Sequence, residues 1–167
     1  MTSRFYAIKK DEMHAFLTDA GFVPMNLPNV VELVYGKVFT VNGHHVSLRI
    51  YTAINPTGES REKGSDAIRL VLYSKVEGIP KPVGKQQRCL RIKNWRINLG
   101  KAIREVTSPE SLPTCNECKS PMVLREGRNG EFWGCVMFHT TGCKGKPVQV
   151  QARPQWEVDE EQDRQEH

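Results

Sequence analysis

Four of the five cysteines lie within 29 residues, as Cys115-x2-Cys118 and Cys135-x7-Cys143. A segment this short cannot bury enough apolar surface to fold alone, and metal binding supplies folding free energy on the order of 10–16 kcal/mol in small modules of this kind. Two close thiol pairs predict a structural zinc site with tetrahedral geometry, all four positions taken by protein and none left open for catalysis. His139, four residues after Cys135, is an alternative to Cys143 as the fourth ligand. A four-thiolate iron–sulfur cluster is the other metal-bound reading, although two knuckles flanking a strand pair suit a zinc ribbon better. Disulfides would need an oxidising compartment. The N-terminus has no apolar run followed by a small-residue cleavage site, so no secretory signal is read and a cytoplasmic setting is expected, in a bacterium or for a virus within one. Cys89, the fifth cysteine, has no histidine or acidic neighbour to activate it and is read as structural.

The residues around the cysteines carry a further signal. Cys115-Asn-Glu-Cys118-Lys-Ser-Pro-Met-Val-Leu-Arg125, then Gly127-Arg-Asn-Gly130-Glu-Phe-Trp-Gly-Cys135, then Phe138 and Cys143-Lys-Gly, resemble the C-terminal four-cysteine zinc ribbons of bacterial type IA topoisomerases. The family pattern is Cys-Pro-x-Cys-Gly, a Met or Leu, an Arg, Gly-x-Phe-x-Gly-Cys, an aromatic-Pro pair and a last Cys. Here Asn116 and Lys119 replace the Pro and Gly of the first knuckle, the last cysteine pair is longer, and His139 stands where the Pro would be. The resemblance implies single-stranded DNA binding, with Trp133 and Phe138 stacking on bases and Arg125 and Arg128 on phosphates. By position Phe132 is a third aromatic of that pattern, for which packing of the small ribbon core is the competing role. It does not extend to strand cleavage, because residues 1–113 are too few for the multi-domain enzyme and its catalytic tyrosine, and they match no family recognised in the sequence.

Charge is partitioned along the chain. Residues 1–113 carry a net +7, residues 114–153 a net +3, and residues 154–167 a net −5. A basic body favours a polyanionic partner, since each cation that meets a phosphate releases condensed counterions. Apolar runs such as Leu70-Val71-Leu72 are far shorter than the ~20 residues a membrane helix needs, so no membrane role is expected. The division read from composition is an α+β nucleic-acid-binding domain over 1–107, a proline-containing linker over 108–114, the ribbon over 115–150 and an acidic disordered tail over 151–167. That tail, with Trp156, is a candidate docking site for a protein partner.

Within the first region, Met13, Phe16, Leu17 and Ala20 recur at helical spacing, with Asp11 placed to cap the start and Gly21 to close the end. Val30–Val41 and Val46–Ile54 read as strands joined by Asn42-Gly43, a tight hairpin turn. Further strands are expected over Ala67–Val76 and Gln87–Lys93, with Glu77–Gly84 as turn material, and Trp95, Leu99, Ala102, Ile103 and Val106 mark a second helix. The predicted fold is αββββα: an antiparallel four-stranded sheet with two helices on one face, followed by the ribbon and the tail. Alternation puts Val46, Leu48, Ile50, Ile68, Leu70 and Leu72 on the helix side, and Arg49, Tyr51, Arg69, Tyr73, Lys75, Arg91 and Lys93 on the other. Cations with aromatic rings suit single strands, whose bases stack while their phosphates are neutralised.

These features favour a non-enzymatic protein of DNA replication, recombination or repair that binds single-stranded DNA, with RNA or duplex DNA as alternative ligands. Two other classes compete. A nuclease would need clustered carboxylates, for which Glu59, Glu62 and Asp66 are the nearest approach. An adaptor would work through the acidic tail.

Overall fold

The computed structural model describes residues 8–56, 67–143, 145 and 148–149. Asn42 and Gly43, at φ of 51° and 82°, turn the chain between β2 (Val34–Val41) and β3 (His44–Tyr51). Positive φ at both turn positions matches the right-handed twist of the flanking strands, which is why Asn-Gly is favoured there. The pair zips in full register from Val34↔Tyr51 to Val41↔His44. β4 (Ile68–Val76) adds to β3, and β5 (Ile79–Cys89) adds to β4 across a second positive-φ turn at Glu77 and Gly78. A short β1 (Val23–Met25) pairs with the start of β2.

Three corrections to the expected fold follow. Among the described residues the sheet has eight strands, not four, because β6 (Met122–Gly127), β7 (Gly130–Cys135) and β8 (Val148–Gln149) continue it in chain order. It is mixed rather than antiparallel: β5 meets β6 in parallel at Gly84↔Val123. Third, residues 79–84, expected as turn material, belong to β5. Pro80 and Pro82 suggest a loop, but both lie in the stretch where β5 pairs with β4 alone, and a strand edge tolerates a missing N–H. Two helices join the sheet as predicted, α1 (Lys10–Asp19) and α2 (Trp95–Val106), and a third, α3 (Phe138–Thr141), follows β7. Asp11 does not cap α1; the helix starts one residue earlier and Asp11 lies inside its first turn.

Both long helices cover one face. Met13 and Leu17 of α1, and Trp95, Leu99, Ala102 and Val106 of α2, are buried with the predicted inward residues of β3 and β4. Phe16 meets Trp95 edge-on at 5.4 Å. Leu112 and Val136 enter the same core from beyond α2. Between α2 and the first cysteine, Pro109–Ser111 form a 3-10 turn, and Asn42 Nδ2 donates to the Leu112 carbonyl at 3.2 Å. Residues 57–66, with the acidic residues weighed for a nuclease, and 151–167, the predicted tail, lie outside the described residues.

Candidate metal centre and nucleic-acid interface

The sulfurs of Cys115, Cys118, Cys135 and Cys143 all lie within 4.8 Å of one another. Cys118 and Cys135 are 3.4 Å apart, and Cys115 and Cys143 3.9 Å. Four thiolates bound at ~2.3 Å around a tetrahedral ion lie roughly 3.8 Å apart, so the cluster fits that coordination. Local backbone builds it. In the first knuckle the Cys115 N–H donates to Ser120 O at 2.8 Å and the Lys119 N–H to Cys115 O at 3.0 Å, which requires Lys119 at φ 62°. In the second, the Met137 N–H donates to the Cys135 sulfur at 3.4 Å. Gly145 closes the site, since a β-carbon there would run into the Cys115 sulfur. The thiols are electrostatically uneven. Desolvation opposes the Cys118 thiolate, yet the Ser120 hydroxyl and N–H outweigh it and bring its pKa down to about 6. Desolvation pushes Cys135 up to about 12. A bound cation supplies the opposing charge that lets all four ionise. Four cysteines thus form a site able to hold a metal ion, and His139 takes no part in the cluster.

The sheet face away from the helices carries a second constellation. Arg49, Tyr51, Arg69 and Tyr73 come together as predicted: the Tyr51 and Tyr73 hydroxyls share a hydrogen bond of 2.8 Å, the Arg49 guanidinium lies 4.2 Å over the Tyr73 ring, and that of Arg69 lies 4.9 Å over Tyr51. Desolvation and the bond to Tyr51 raise the Tyr73 pKa to about 12, so the Tyr73 phenol stays neutral. Lys75, exposed, follows Tyr73 at the same parity. Two expected members are displaced. β5 ends at Cys89, so neither Arg91 nor Lys93 extends the strand. Arg91 is buried and its Nη1 donates to the Ala53 carbonyl at 3.2 Å; Lys93 is exposed in the turn before α2. The cation that β5 does place on this face is Arg88, directly across from Arg69. Reading strand parity from Cys89 backwards would have found it.

Glu32 was also missed, since a lone acid in a loop gives no sequence signal. Its Oε2 meets Arg69 Nη2 at 2.8 Å and its Oε1 accepts the Ala53 N–H at 3.1 Å.

On the ribbon, the β7 pleat assigns the aromatics differently from the expectation. Trp133 shares a side with Cys135 and packs against the metal-site core, whereas Phe132 lines a hollow of about 360 Å³ with Arg125, Phe138 and His139. Phe138 is 50% exposed. Arg125 donates to His139 Nε2 and to the Cys135 carbonyl, each at 3.4 Å, and Arg128 is exposed in the β6–β7 turn. No helix among the described residues is long and apolar enough to cross a membrane. No family model, curated protein or solved structure matches this chain.

Proposed function

We propose that this chain binds single-stranded DNA in replication, recombination or repair and performs no chemistry on it. The observation that carries the reading is the paired arrangement of Arg49 over Tyr73 and Arg69 over Tyr51, with Arg88 and Lys75 beside them, on a sheet face that the helices leave uncovered. Guanidinium and aromatic groups held together offer stacking surface for bases and charge for phosphates. The ribbon offers a second surface of the same chemistry in the hollow between Phe132, Phe138 and Arg125.

In this reading residues 1–107 form the sheet domain, 108–114 connect it, and 115–150 are a zinc ribbon of the topoisomerase type, with one structural Zn2+ on the four cysteines. Zinc is favoured over an iron–sulfur cluster because the thiols sit at the spacing of a single tetrahedral ion. The acidic tail is assigned to partner recruitment or to competition with DNA for the basic surface, and the setting to a bacterial cytoplasm.

The test is a mobility shift of purified protein with labelled single-stranded DNA, duplex DNA and RNA, with magnesium or manganese present. The single strand is expected to be retarded intact and more strongly than the others. Cleaved product would make the protein a nuclease, and preferential retardation of RNA or duplex would reassign the ligand. Elemental analysis is expected to return one zinc per chain.

A further inference from the structure

The two stacked arginines have different surroundings. Arg69 is ion-paired: the Glu32 carboxylate is 2.8 Å away with its side chain only 7% exposed, while that of Arg69 is 44% exposed. Glu32 is itself pinned by the N–H of Ala53, a buried residue at φ 58°, and the carbonyl of Ala53 is held in turn by Arg91. The Arg69 guanidinium is thus fixed at one edge by a buried carboxylate and on one face by the Tyr51 ring. Arg49 has the ring but not the acid. It lies over Tyr73, forms no ion pair among the described residues, and its Nε is buried without a hydrogen-bond partner.

We propose that Arg69, positioned by Glu32, contacts bases on this face, and that Arg49 contacts phosphates. The assignment rests on the single-strand reading above. A phosphate approaching Arg69 meets a guanidinium whose charge is already balanced and a carboxylate that repels it, so little counterion-release free energy is available there. Stacking needs no net charge. It needs a flat, immobile group with an open face, and a guanidinium edge-bound to a carboxylate is such a group. Arg49 is the converse, a half-buried guanidinium with no carboxylate beside it among the described residues, so its charge is left for a phosphate to neutralise.

The experiment measures fluorescence anisotropy of the full chain on labelled oligothymidine and on an abasic sugar–phosphate strand of equal length, across a salt series. Arg69→Lys, which keeps the charge and loses the plane, is expected to weaken oligothymidine binding about tenfold and to leave the abasic strand and the salt slope unchanged. Arg49→Gln is expected to weaken both strands and to flatten the salt slope by ~0.7. Glu32→Gln can still accept the Ala53 N–H while releasing the Arg69 charge; it is expected to tighten abasic binding and steepen the slope by ~0.7. Equal losses on both strands for Arg69→Lys, or no loss on either, overturn the assignment, as does a wild-type slope in Glu32→Gln. Should Glu32→Gln fail to fold, judged by its thermal melt, the two arginine variants decide the matter. Wild-type protein that binds neither strand brings down the single-strand reading itself.

Discussion

The Nε2 of His44, at the start of β3, lies 2.8 Å from the hydroxyl of Thr114, the residue that precedes the first cysteine of the cluster. Asn42 in the same hairpin turn donates to the Leu112 carbonyl. The sheet hairpin and the first knuckle are thereby stitched together by polar contacts that neither sequence segment announces, since a His-His pair after Asn-Gly reads as an exposed tip.

Burial lowers the His44 pKa below its ordinary 6.5. The unfolded chain therefore takes up this proton before the folded one as pH falls. The contribution is whole above pH 6.5 and is drawn down from there toward the folded pKa. Denaturation at roughly pH 7.5 and pH 5.5 is expected to show a larger loss of stability for wild-type protein than for His44→Gln. Any effect of acid on the cysteines is common to both, so equal losses count against the role of this imidazole.

Chelation of the metal is expected to unfold residues 114–143 and to destabilise the main sheet as well. Leu112 and Val136 flank the site and are buried in the core with Leu72, Trp95 and Leu99. Loss of even ~3 kcal/mol of coupling lowers the melting temperature of a chain this size by roughly 10 °C. Circular dichroism melts with and without chelator read this directly; an unchanged main transition would show that the two cores are energetically separate.

Lys119→Gly is expected to stabilise the metal-bound protein by about 1 kcal/mol. A non-glycine residue at φ 62° brings its β-carbon too close to the following carbonyl oxygen, at a cost of roughly 1–2 kcal/mol. The gain is partly offset because Lys119 Nζ donates to Asn116 O at 3.2 Å. Urea unfolding in the presence of saturating zinc measures the difference, and a destabilised variant would mean that the lysine contact outweighs the strain.

Arg91→Ala is expected to destabilise the fold by ~2 kcal/mol, since it removes a charged hydrogen bond to a buried carbonyl. Its effect on the salt dependence of DNA binding is expected to be nil. A flattened slope without loss of stability would return Arg91 to the binding face.

Much of this was legible in the residues, and the exceptions have physical causes. Period-two alternation through Val46–Ile50 and Ile68–Leu72 marked the buried face because that face packs on helices and the other does not. The heptad-like spacing of Trp95, Leu99, Ala102 and Val106 marked α2 for the same reason. Cysteine spacing alone pointed to the metal cluster, since thiol pairs close in sequence are easily brought close in space. Boundaries in β5 were hidden by two prolines whose edge position cancels their usual meaning. The Arg91 misplacement came from carrying alternation past Cys89, where the strand stops. Glu32 and Thr114 were invisible because their partners, Arg69 and His44, lie 37 and 70 residues away.

Gly84 sits at φ 68° where β5 meets β6, and a β-carbon there would approach the Ser111 carbonyl oxygen at 2.9 Å. The ribbon is therefore not an exchangeable cassette. A foreign four-cysteine ribbon grafted after α2 would keep its metal, but it would leave voids where Leu112 and Val136 now fill the main core and would find no matching strand edge at Gly84. A chimera of this protein has to carry the β5–β6 junction along with the cysteines, and the first 107 residues alone end on an uncovered apolar seam.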